Sequence, residues 1–122
     1  MDEHQEARAI PGLFFWITPM VLIELLLPLY DNDGRQLDRA HHRQVATELA
    51  ERFGGLTAHT RAPATGLWKP SAAENTTRDD IVIYEVMAER VDALWWKAYR
   101  SQLEARFRQE QVVIRAITVD LL

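Results

Sequence analysis

The chain has 122 residues, 48% of them hydrophobic, with 14 basic and 18 acidic side chains and no cysteine. That is the size of one ordinary domain, and the lack of thiols removes thiolate catalysis, thiolate metal sites and disulfides together. A formal charge of −4 is not the basic footprint of a nucleic-acid binder, so no nucleic-acid partner is expected.

Residues 1–10 are charged and have the character of a tail. The run PGLFFWITPMVLIELLLPLY, residues 11–30, is long enough to cross a bilayer, but it carries Glu24 near its middle and prolines at 11, 19 and 28. A carboxylate in lipid is costly and three prolines break a helix, so no membrane partner is expected. The preceding MDEHQEARAI lacks the basic region of a secretion signal, which points to a cytoplasmic protein. Within the run, GLFFWIT at 12–18 ends at Pro19 and reads as an extra edge strand or an arm over a groove. The division expected is residues 1–20 as tail and aromatic arm and residues 21–122 as a single domain.

From Val21 to Tyr30 the odd positions Val21, Ile23, Leu25, Leu27 and Leu29 are wholly apolar, the pattern of a strand with one buried face. Asp31-Asn32-Asp33-Gly34 is a strong turn, and it lacks the later oxygen ligands of a calcium loop. A helix follows from Asp38, a capping residue, to Phe53, with Val45, Leu49 and Phe53 on one face. Gly54 or Gly55 then supplies the left-handed stop. Residues 56–61 alternate as a strand with one wet face, and residues 62–80 form a long excursion rich in proline, glycine and small polar side chains. DIVIYEVMAE, residues 80–89, returns to strand; Asp92 to Gln109 reads as a second helix; and QVVIRAITVDLL closes the chain as a β-branched strand.

Strand, helix, strand, strand, helix, strand is the order of an α+β ferredoxin-like sandwich: a four-stranded antiparallel sheet with two helices on one face. The first and third strands are then central and the other face of the sheet lies open. Polar residues fix which set points there. Leu22, Glu24, Leu26 and Tyr30 come from the first strand, Thr57, His59 and Arg61 from the second, Ile81, Ile83, Glu85 and Met87 from the third, and Val113, Arg115, Ile117 and Val119 from the last.

Across the sheet the expected row is Arg115, Glu24, Glu85, then His59 or Arg61. Adjacent carboxylates oppose one another and call for flanking cations, a shared proton or a bound cation. Three readings remain open at this point, one of them an accessory factor whose edge strand near residues 56–61 adds to a partner's sheet. The four residues Glu24, His59, Glu85 and Arg115 form a satisfied polar network in a homodimer interface, or they are acid–base groups in a pocket that takes a small hydrophobic or anionic molecule. Arg61, Trp68, Tyr30 and Met87 are the candidate ligand-binding residues beside them. No cofactor motif and no metal-ligand spacing stands out, and no serine or histidine pair has a catalytic context.

Elsewhere, His41 is expected to join the helix stripe through Val45 while His42 meets solvent. Glu104 and Arg108 are four apart and suited to pair on the second helix. Of Trp95 and Trp96, one is expected in the core and the other at its margin.

The motifs Leu27-Pro28, ERFGG at 51–55, Thr57, Gly66 with Trp68, Arg78 to Asp80, and ARFRQE at 105–110 give the chain a further likeness. Over residues 21–120 it resembles a family of small uncharacterised bacterial proteins with a ferredoxin-like fold. More distantly it is similar to dimeric α/β-barrel proteins, which include cofactor-free oxygenases and isomerase-like members. The resemblance implies the fold and raises the expectation of a pocket; it carries no catalytic residue over to this chain.

Overall fold

Period-two burial in the most apolar strand organises the molecule. The computed structural model describes residues 8–9, 16–61 and 80–122, with side chains for 17–60 and 80–122. The elements in chain order are β1 (Arg8–Ala9), β2 (Trp16–Pro28), α1 (Arg39–Phe53), β3 (Thr57–Arg61), β4 (Ile81–Ala88), α2 (Ala93–Arg106) and β5 (Val113–Leu121). The four long strands are antiparallel in the order β3-β4-β2-β5, as the ferredoxin-like plan requires, and β1 pairs with the start of β2.

On one face Ile23, Leu25 and Leu27 of β2 and Val82, Tyr84 and Val86 of β4 pack with Val45 and Leu49 of α1. Trp96, Tyr99 and Leu103 of α2 and Phe107 beyond it complete that layer. Burial of this kind contributes about 25 cal/mol per Å² of apolar surface, and it fixes the strand register, since a one-residue slip would expose the whole set.

Two differences from the sequence reading concern β2. The strand does not start after Pro19. It runs unbroken from Trp16, so Trp16 to Thr18 of the aromatic run belong to it, and residues 11–15 lie outside the described residues. Proline is tolerated because β2 pairs with β4 only from Val21 onward, so the missing N–H at Pro19 costs no bond to β4. At its other end β2 stops at Pro28. Tyr30 instead makes an isolated bridge to Gln36 across a turn in which Asp31 Oδ1 accepts the amides of Asp33 and Arg35 at 2.9 Å each.

Both helices are capped as their sequences demand. Asp38 and Asp92 accept from Ala40 N–H and Trp95 N–H, and Gly54 sits at φ 75° where a side chain would be strained. The second helix ends at Arg106, three residues before the expected boundary. Arg108 therefore lies past its end at φ 53°, and Glu104 accepts the N–H of Val112 at 2.9 Å, an alternative to the expected pairing with Arg108. Between the helices Glu48 takes two bonds from Arg106, at 2.7 and 3.2 Å, and one from Tyr99 at 3.1 Å. Trp96 enters the core and Trp95 lies at its margin, under the Arg52 guanidinium 4.0 Å above its ring.

The helix stripe carries the main surprise. His42 does not face solvent; both histidines touch the Phe107 ring, and His42 is the closer at 4.9 Å. Position 42 is three residues before Val45, as much a stripe position as 41. Because a carbonyl only accepts, His42 Nε2–H donates to Pro28 at 3.0 Å, which leaves Nδ1 to accept the Tyr84 hydroxyl at 2.8 Å. Burial lowers the His42 pKa from 6.5, against a smaller upward pull from the Pro28 carbonyl, and raises that of Tyr84 to about 12.

A histidine whose folded pKa is depressed takes up its proton first in the unfolded chain. Its contribution is therefore intact above pH 6.5 and is lost as pH falls from there toward the folded value. The thermal midpoint of the protein should drop across that window, and His42→Gln should flatten the drop while costing stability at neutral pH. Equal slopes for the two proteins in thermal melts would remove His42 from this role.

Candidate functional site

The face of the sheet away from the helices is built in rows by the register. Ile117, Leu22 and Met87 are cross-strand partners; next come Arg115, Glu24, Glu85 and Thr57; then Val113, Leu26, Ile83 and His59. A charged row thus runs between one apolar row and one that is apolar up to His59 at its end. Glu24 stands directly opposite Glu85, as the sequence pattern implied.

Each carboxylate turns to its own side. Arg115 Nε donates to Glu24 Oε1 at 2.9 Å, and His59 Nε2 to Glu85 Oε1 at 2.5 Å. Glu24 is only 9% exposed, so its bond to Arg115 offsets a desolvation that would otherwise be severe. Arg115 and His59, by contrast, are about half exposed, with side chains 49% and 47% accessible.

His59 reaches Glu85 diagonally. The residue directly opposite Glu85 is Thr57, and His59 stands opposite Ile83, one pair along. The imidazole is long enough to cross that diagonal. Among the described residues the other ring nitrogen, Nδ1, makes no hydrogen bond. A ring held by a carboxylate through one nitrogen keeps its lone pair on the other, the arrangement of a general base.

The remaining candidates divide. Met87 is on this face and 43% exposed, next to Leu22. Tyr30 is in the turn after β2, beyond the end of the ladder. Arg61 is described by its backbone alone, paired with Ile81, and Trp68 lies outside the described residues. The expected set therefore comes together as Glu24, Glu85, His59 and Arg115, with Met87 alongside.

Sequence reading missed a cleft of about 330 Å³ beside this row, where the α1–β3 link meets Leu22, Glu85 and Met87. Its only early sign was Gly54-Gly55, read as a helix stop and nothing more. Among the described residues no group of three or more His, Asp or Glu could hold a metal ion, and no helix is long and apolar enough to cross a membrane.

No family model matches the chain, and neither a curated protein nor a solved structure does.

Replacing Arg115 leaves Glu24 and Glu85 opposed, with a counter-group only on the far side. Arg115→Met should cost about 2 to 3 kcal/mol at neutral pH, since it leaves a buried carboxylate without its counter-charge, and adding Glu24→Gln should recover most of it. A double-mutant cycle by urea denaturation measures this coupling, and additive losses would show that the pair is only incidental.

Proposed function

We propose that the chain is a cytoplasmic ferredoxin-like protein that works as a homodimer, the open face of one sheet packing on that of its copy, and that it belongs with the small bacterial proteins it resembles. The reading places binding ahead of catalysis.

One observation carries it. Met87, Ile117 and Val113 are 43–47% exposed on a sheet face that also bears Leu22 and Leu26. An apolar surface of that extent, interrupted among the described residues by the Arg115–Glu24 and His59–Glu85 pairs, is costly to leave in water. A second copy can cover it without supplying new counter-charges, and twofold pairing is the commonest way that chains do so.

Sedimentation analysis at micromolar concentration should give the mass of a dimer. Ile117→Lys, at a position exposed enough to leave the fold intact, should give that of a monomer. A wild-type monomer at that concentration would end the proposal.

A second reading, a pocket enzyme using acid–base chemistry, is favoured by one specific feature: the His59 ring held by Glu85 with Nδ1 lacking a described partner. A base of this kind should accelerate deuterium exchange into simple carbonyl compounds with acidic C–H bonds, followed by proton NMR in heavy water. His59→Gln should abolish the acceleration; a wild-type rate equal to the buffer rate would dismiss the base.

A further inference from the structure

The cleft beside Glu85 opens where the ladder between β3 and β4 stops. Gly54 turns the backbone out of α1, and β3 begins at Thr57, already opposite Glu85. Gly55 and Leu56, the two residues between them, do not pair with Met87 and Val86, so the β4 ladder with β3 ends at Glu85 and a notch opens past it.

The notch has apolar walls from Leu22, Phe53, Leu56 and Met87, and among the described residues Glu85 is its one charged lining residue. Among the described residues the second oxygen of Glu85, Oε2, has no hydrogen-bond partner, since His59 takes only Oε1. The carbonyl end of α1 adds partial negative charge at the same place. The basic residue of that last turn does not cancel it, because Arg52 is directed to Asp92, at 3.7 Å, and to the Trp95 ring.

From these features we infer that the notch is a binding site for a small organic cation: a protonated amine whose apolar body lies between Leu22, Leu56 and Met87 while its ammonium meets Glu85. This differs from the hydrophobic or anionic ligand that the sequence suggested, because the charged residue lining the notch, among those described, is a carboxylate. The site is complete within a single chain and does not depend on self-association.

Gly55 offers a clean way to close it. A Cβ there meets nothing within 4 Å, and the backbone is outside the left-handed region, so a side chain can be placed at this lining residue without strain. Benzylammonium is a suitable probe, with benzyl alcohol and benzoate as neutral and anionic counterparts of similar shape. Binding can be followed by calorimetry or by tryptophan emission, since Phe53 stacks on Trp96 with ring centroids 5.4 Å apart.

The wild type and Ile117→Lys should both bind benzylammonium about tenfold more tightly than benzyl alcohol, as a charge-assisted contact provides, and should not bind benzoate. Glu85→Gln keeps an acceptor for His59 and should erase the preference for the cation. Gly55→Leu should abolish binding with its melting curve unchanged. Equal affinity for the amine and the alcohol, or binding that survives Gly55→Leu in a folded protein, would overturn the site. Loss of binding in Ile117→Lys alone would overturn its completeness within one chain. The mass of the wild type, read separately, decides the dimer whatever the amine does.

Discussion

A carboxylate on the central strand of a small sheet has to be given a counter-charge, and that requirement for Glu24 organises the open face. Its neighbours at 23 and 25 are fully committed to the helix-covered core, so period-two geometry leaves Glu24 no choice of side. Pairing with β4 then sets it opposite Glu85, and pairing with β5 sets it opposite Arg115. One neighbour repels and the other attracts. The Arg115 bond and the His59 bond pull the two carboxylates outward in opposite directions, which lets two acidic residues share the middle of one face.

The helix side meets its polar groups in a different way. There His42, half-buried, is tolerated because each ring nitrogen has a partner, Pro28 carbonyl on one side and Tyr84 hydroxyl on the other. The same logic applies at Glu48, which accepts three bonds from α2. These contacts tie α1 to β2, β4 and α2 with direction, where apolar packing alone would permit sliding.

Much of this was legible in the sequence, for reasons that can be named. Odd-numbered apolar residues from 21 to 27, the caps Asp38 and Asp92, and the stop at Gly54 are local signals, and local signals are what a chain shows most plainly. The charge row followed from alternation combined with the strand order of one topology. What escaped was set by distance along the chain. Proline at 19 looks like a break until it is known that β4 does not reach that far. His41 and His42 are equivalent by periodicity, and Phe107, which meets both, lies more than sixty residues away. The choice of His59 over Thr57 as partner of Glu85 depends on side-chain reach across a diagonal, and the notch depends on where β3 starts; neither has a signature in composition or spacing.

The open face and the notch share Glu85, yet they ask different things of it. Burying a sheet face against a copy needs charges that are already balanced, and Arg115 with Glu24 meets that condition within the chain. Glu85 meets it by half, with one oxygen held by His59 and the other without a described partner. Its place at the edge of the ladder, where β3 begins, puts that incomplete group at a rim and not at the centre of the apolar rows. A surface can therefore close over the centre while the rim stays open to a small cation. The division follows from strand length: had β3 started two residues earlier, Gly55 would have reached the pairing position opposite Met87, and the gap beside Glu85 would have been filled by backbone.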